Sequence, residues 1–384
     1  MHHFRNIVVM HFKLFPLLLF TFLCFSFISE EKRKVSAILL PPIASNDAFM
    51  RYSDTTYMLR DESGNTLFYQ DIFTPVCTDN TCLPVSITIY WDILGNYHSY
   101  GVSKNAPLTK AGHVPFSQED YEKLDRVLAD AYSILGNYTK EDLKQLVQED
   151  KNGKKKENVD AMSGATWKSG QSLVIDGALY TSHTLWKLTH GPIKEKLLHY
   201  TKTHLLDIHL MKQCLQSDKA SFRRFAIEQL ANFEIEALHK EVLHIVQGND
   251  ADMSYSLLYQ LPSRYYSLEA FTLPLAEHIN TLVRYDVKVA CLKKLRENIF
   301  LNDSTLKALV AQSYVIDPSL LTNVLYVLCK QKQLSKENTK LALALVKDKK
   351  ETLQSDRFFT RAFQYDTSEM NSLFVKINKA IPRN

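Results

Sequence analysis

Pro84-Val-Ser-Ile-Thr-Ile-Tyr-Trp91 alternates apolar and polar residues and is rich in β-branched side chains. Asp92-Ile-Leu-Gly-Asn96 then turns it into Tyr97-His-Ser-Tyr100. A period of two, interrupted by a Gly-Asn turn, predicts a half-buried antiparallel hairpin. Upstream, Thr56-Tyr-Met-Leu-Arg60 is followed by the turn Asp61-Glu-Ser-Gly-Asn65 and by Thr66-Leu-Phe-Tyr69, the same arrangement again. Together these stretches predict a small antiparallel sheet.

Downstream the period lengthens. Ser117-Gln-Glu-Asp120 resembles a capping box, with Asp in the usual Glu position, and opens a helix presenting Tyr121, Leu124, Val127, Leu128 and Ala131 on one face. Thr139-Lys-Glu-Asp-Leu143 starts another helix. Glu149-Asp-Lys-Asn-Gly-Lys-Lys-Lys-Glu157 is an exposed polar loop.

Ten of the 11 glycines fall at or before Gly191, and only Gly248 lies beyond. This break divides the chain into an α+β part, residues 35–191, and an all-α part, residues 192–384. Amphipathic helical runs recur through the second part: Ile193–Cys214, Lys219–Phe233, Glu236–Val246, Ser254–Leu261, Leu268–Leu282, Val287–Asn298, Thr305–Tyr314, Leu320–Lys330 and Lys336–Lys347. Asp218, Asp250, Asp286 and Asp317 open helices at intervals of 32, 36 and 31 residues. Phe222-Arg-Arg-Phe-Ala-Ile-Glu-Gln-Leu230 resembles Asp286-Val-Lys-Val-Ala-Cys-Leu-Lys-Lys-Leu295. The pattern is similar to HEAT-type helix pairs, which bury their apolar faces only by stacking and offer a surface to other proteins. A non-repetitive helical bundle is the alternative. Cys214, Cys291 and Cys329 fall on apolar helical positions and read as buried free thiols.

The composition is 45% apolar, with 46 basic and 42 acidic residues and a net charge of +4. Near-balance of charge points away from nucleic acid as a partner. At the N-terminus, Arg5 and Lys13 precede Leu14–Ile28, a stretch without charge. It suits an export signal within residues 1–29, or a retained membrane anchor. Cys24 offers a poorer lipoprotein reading. Each of these places the mature chain outside the cytoplasm, in or facing the periplasm.

Asp160-Ala-Met-Ser163-Gly164-Ala165-Thr166 follows the polar loop. It resembles the covalent flavin attachment sequence of the FMN-carrying subunits of the sodium-pumping NADH:quinone oxidoreductase and the Rnf complex, over about Asp160–Gly177. The resemblance implies FMN in phosphoester linkage to Thr166, attached by a separate flavin transferase. Trp167 and Lys168 depart from the small or hydroxyl residues more common there. The chemistry fits the residue types. A Thr hydroxyl is a poor nucleophile without external activation, and Gly164 and Ala165 leave room for a phosphate. Asp160 would hold the loop or assist the transferase. The apolar spacing Leu173, Val174, Ala178, Leu185 predicts a helix whose N-terminus would favour an anionic phosphate near Thr166. The plainer reading is a Ser-Gly-Ala-Thr turn capping an ordinary helix.

Lys110 and His113, in Leu108-Thr-Lys-Ala-Gly-His-Val-Pro-Phe116, are candidates to contact the flavin or its phosphate. Trp91, Trp167 and Trp186 are candidates to cover the flavin ring, Trp167 foremost because it adjoins the motif. Cys77 and Cys82 form either a structural disulfide closing a tight loop, or a redox pair. These readings describe a membrane-associated electron carrier serving membrane or periplasmic redox proteins, rather than an enzyme with its own substrate. A scaffold with an unmodified turn and a thiol-redox protein are the rivals.

Overall fold

The computed structural model describes residues 36–39 (backbone), 55–60, 65–76, 83–139, 141–142, 174–356 and 370–381. Five strands, β1 (Ser36–Leu39), β2 (Thr55–Arg60), β3 (Thr66–Thr74), β4 (Val85–Asp92) and β5 (Tyr97–Gly101), form an antiparallel meander in sequence order. The alternation of β4 sets its faces. Ile87, Ile89 and Trp91 are buried, and the register places Phe68 opposite Trp91 and Ile72 opposite Ile87. On the other face Tyr57, Tyr69 and Tyr90 form a cross-strand row, with ring centroids 5.0 and 5.6 Å apart.

Helix α1 (Gln118–Ala129) begins at the predicted capping box. Ser117 N donates to Asp120 Oδ2 at 2.7 Å, and Asp120 N donates to Ser117 Oγ at 3.3 Å. Leu124, Val127 and Leu128 are buried, but Ala131 lies beyond the C-cap Asp130 and is exposed. The Thr139 start also carries reciprocal bonds, Thr139 N to Asp142 Oδ2 at 2.7 Å and Asp142 N to Thr139 Oγ1 at 3.2 Å. Helix α2 (Leu179–His190) is buried on most of its circumference. Its position is fixed by polar groups as well as by packing. Trp186 Nε1 donates to Asp130 O at 2.7 Å, and His190 Nε2, 2.8 Å from Leu128 O, must carry the proton because a carbonyl only accepts.

The helix predicted through Val174 and Ala178 is corrected at its start. Residues 174–178 form a turn, with Gly177 at φ 74°, and α2 begins only at Leu179. A left-handed residue cannot continue a right-handed helix. Val174 and Ile175 are nonetheless buried in the core beneath the sheet.

A mostly helical region follows. It comprises α3 (Ile193–Tyr200), α4 (Ile208–Gln216), α5 (Ala220–Gln229), α6 (Ile235–Val246), α7 (Ala251–Gln260), α8 (Glu269–Glu277), α9 (Tyr285–Glu297), α10 (Asp303–Gln312), α11 (Pro318–Lys330), α12 (Lys336–Asp348), α13 (Lys350–Ser355) and α14 (Ser372–Ala380). The run predicted from Ile193 to Cys214 is broken. A π turn spans Thr201–Leu205, and Asp207 then caps α4 by accepting from Leu210 N at 2.8 Å. Asp250 and Asp317 cap α7 and α11 through their side chains, whereas Asp286 lies inside the first turn of α9 and Lys219, not Asp218, is the N-cap of α5.

Each helix from α4 onward packs on the next but one. Helices α5, α7, α9, α11 and α13 follow one another in one row, and α4, α6, α8, α10, α12 and α14 in a second. Their apolar faces share one continuous core, in which Cys214, Cys291 and Cys329 are free and buried, as expected. Among the described residues no helix is long and apolar enough to cross a membrane. The N-terminal signal or anchor expected within residues 1–29 lies outside the described residues.

Candidate cofactor site

Leu108–Phe116 forms a small hairpin beside α1. Lys110 N donates to Val114 O at 2.7 Å and Phe116 N to Leu108 O at 2.8 Å, while Leu108 and Phe116 anchor its base in the core. The tip, Ala111–His113, is a single tight turn. Gly112 has φ 74° and His113 φ 62°, so a non-glycine residue sits in the left-handed region. The His113 side chain is exposed.

Lys110 does not point freely into solvent. Its ammonium lies 2.7 Å from Asp120 Oδ2, the carboxylate that also completes the α1 capping box. Burial alone would raise the Asp120 carboxyl. The hydrogen bond from Lys110, with those from Ser117, outweighs burial and holds it below the usual carboxylate range. Part of the charge of Lys110 is therefore matched within the protein.

The hairpin tip is joined to the chain that follows the flavin-like sequence. Ala111 N donates to Gly177 O at 2.8 Å. A Cβ on Gly177 would meet Lys110 Cβ at 3.5 Å, an ordinary contact, so its positive φ rather than crowding calls for glycine there. Lys110 is thus brought to the turn 174–178, while His113 shares the hairpin tip with an exposed side chain. Asp160, Ser163, Gly164, Ala165, Thr166 and Trp167 lie outside the described residues. So do Cys77 and Cys82, although the strands flanking them pair with Thr74 opposite Val85.

Two tryptophan candidates are corrected. Trp91 is fully buried and its Nε1 donates to Thr189 O at 2.9 Å. Trp186 is buried against His190, with ring centroids 4.8 Å apart. Both indoles are core, with their N–H groups satisfied, and neither offers a free ring face to a cofactor.

Sequence reading missed Asp120 as the partner of Lys110, having assigned it only to the helix cap. It also missed Gly177 as the residue that receives the hairpin. No local period links these positions; the tertiary packing does. Among the described residues no group of three or more His, Cys, Asp or Glu side chains could hold a metal ion. Compared with family models, curated proteins and solved structures, the chain gives no match.

Proposed function

We propose that the chain is an extracytoplasmic electron carrier that bears FMN covalently on Thr166 and meets its redox partners through the helical part. The reading is carried by Asp160-Ala-Met-Ser163-Gly164-Ala165-Thr166, whose residue types and spacing resemble the attachment sequence. It is supported by the hairpin bearing Lys110 and His113, held by Ala111 against Gly177. The Lys110 ammonium beside the chain leaving the attachment sequence, with an exposed imidazole at the hairpin tip, suits a phosphate group.

Bound FMN would supply the one- and two-electron chemistry, and the protein position and electrostatics. Thr166 would hold it. Lys110 would be shared between Asp120 and phosphate, and His113 would reach outward from the hairpin tip. Tethering suits an exported carrier, because a dissociated flavin would be lost by dilution.

We infer further that the helical part is a HEAT-like stack of helix pairs. Its support is the next-but-one packing and a chain of polar contacts between successive pairs. Arg264 donates to Ala231 O and Phe233 O, both at 2.8 Å, Asn298 to Tyr266 O, and Gln331 to Asn298 O. In each case a side chain that follows one odd-numbered helix reaches back to carbonyls in the segment that follows the odd-numbered helix before it. A stack of this kind without flavin, serving as a scaffold, is the second reading.

The two separate in one experiment. The full-length protein is produced with a matching flavin transferase, denatured and resolved on a gel. Flavin fluorescence should stay with the band, vanish in Thr166→Ala and persist when Cys77 and Cys82 are both replaced. A natively produced chain whose intact mass shows no flavin, with the transferase present, would leave only the scaffold.

A further inference from the structure

We propose that the β4–β5 turn, Asp92–Asn96, is a fixed joint that makes the sheet part and the helical part behave as one cooperative body. The inference goes beyond the flavin reading and does not depend on it.

Core residues are exchanged in both directions. Ile93 and Leu94 lie at a turn of the sheet, yet they are buried in the helical core with Met211, Cys214 and Leu215. Conversely, Ile193 and Leu197 of α3 are buried in the core under the sheet, and Tyr200 packs its ring edge-on to Phe68, with centroids 5.9 Å apart. Two tethered domains each bury their own faces and meet through a polar, separable interface. Here each part completes the other's interior.

Polar contacts fix the geometry. Thr201 Oγ1 donates to Ile93 O at 2.6 Å, and both groups are buried. Asp92 braces the turn from within, accepting from Leu94 N at 2.8 Å, Asn96 N at 3.0 Å and Asn96 Nδ2 at 3.3 Å. Gly95, at φ 73°, lets the turn lie directly on the backbone of α3; a Cβ there would fall 2.6 Å from Lys194 O. The π turn Thr201–Leu205 starts at the residue that grips Ile93, and Leu206 N closes it onto Thr201 O at 2.9 Å. Wide turns of this kind are rare and are kept where they serve a specific contact.

The consequence is mechanical. Any group carried by the sheet part keeps a constant position relative to whatever docks on the helical rows. Delivery by a swinging domain is excluded by such a joint.

Tryptophan and helix signals read the two parts separately in the intact chain. The three tryptophans, Trp91, Trp167 and Trp186, all precede Gly191, whereas most helical residues follow it. Urea unfolding of the full-length protein, followed by tryptophan emission and by circular dichroism at the helix band, should give one shared midpoint. Leu94→Ala should lower both midpoints together, by about 0.5–1 M urea. Thr201→Val, a milder change should Leu94→Ala not fold, should lower both by a smaller, equal amount. Separate midpoints in the unaltered chain, or a variant that moves one probe alone, would overturn the joint.

Discussion

The side-chain amide of Gln331 donates to the carbonyl oxygen of Asn298, the C-cap of α9, at 3.0 Å. The same side chain accepts from Leu301 N at 2.8 Å and donates to Val327 O at 3.0 Å, and it is 1% exposed. It therefore closes the end of α9 and ties α11 to it. Gln331→Leu keeps the bulk and removes all three bonds, leaving a buried N–H and buried carbonyls without this partner. An unsatisfied buried group costs about 1–3 kcal/mol, so a loss of about 2–4 kcal/mol is expected. Urea unfolding measures it, and a loss below about 1 kcal/mol would show that water replaces the amide.

Element types were legible in the chain because they depend on local period. Val85–Asp92 and Tyr97–Gly101 are strands where the alternation places them, and the capping box at Ser117 opens α1. The Gln331–Asn298 contact was not legible, since it joins residues far apart in sequence and exists only once α9 and α11 pack together. The insertion of Ile93 and Leu94 into the helical core had one visible sign, two large apolar residues inside a tight polar turn. The Lys110–Asp120 pair had none, because Asp120 satisfied a simpler local role as a helix cap. Val174 and Ala178 misled for a different reason. Buried residues in a glycine-containing turn can mimic helical spacing over so short a stretch.

Burial holds the Asp92 carboxyl above its usual range, against hydrogen bonds from Asn96 and Leu94 that act to lower it. A folded-state value raised above the unfolded one gives stability that is fully present below the unfolded value, about 3.9, and lost as pH rises through the folded value. Asp92→Asn keeps one acceptor oxygen for Leu94 N and Asn96 N and has nothing to ionise. Its stability relative to the native chain should therefore improve between pH 4 and pH 7. Asp92→Ala, which loses every acceptor, should be destabilised at both values by about 2–3 kcal/mol. A parallel pH dependence for Asp92→Asn and the native chain would show that burial does not govern this carboxyl.

The thiols of Cys214, Cys291 and Cys329 are pushed up to about 12 by burial, with Asp92 adding to the effect at Cys214. Reactivity follows the thiolate and access to it. In the folded protein at pH 8 these three should resist iodoacetamide for hours, and in urea all three should react within minutes. Peptide mapping by mass spectrometry gives the answer residue by residue. Rapid labelling of Cys214 alone would mean that the core around Ile93 and Leu94 opens locally.

His113 is the non-glycine residue with a positive φ among the described residues, and its side chain is exposed. A left-handed conformation costs an L-residue about 1–2 kcal/mol relative to glycine, part of which glycine gives back through the freedom of the unfolded chain. His113→Gly should consequently raise stability by up to about 1 kcal/mol, while His113→Ala, equally strained, should leave it unchanged. On the proposed flavin reading, if the imidazole serves only the fold, loading at Thr166 will be the same in both variants as in the native chain. If it guides the phosphate, both variants will load more slowly although one of them is the more stable protein. Thermal unfolding and the rate at which gel fluorescence appears therefore separate a strained turn kept by accident from one kept for its side chain.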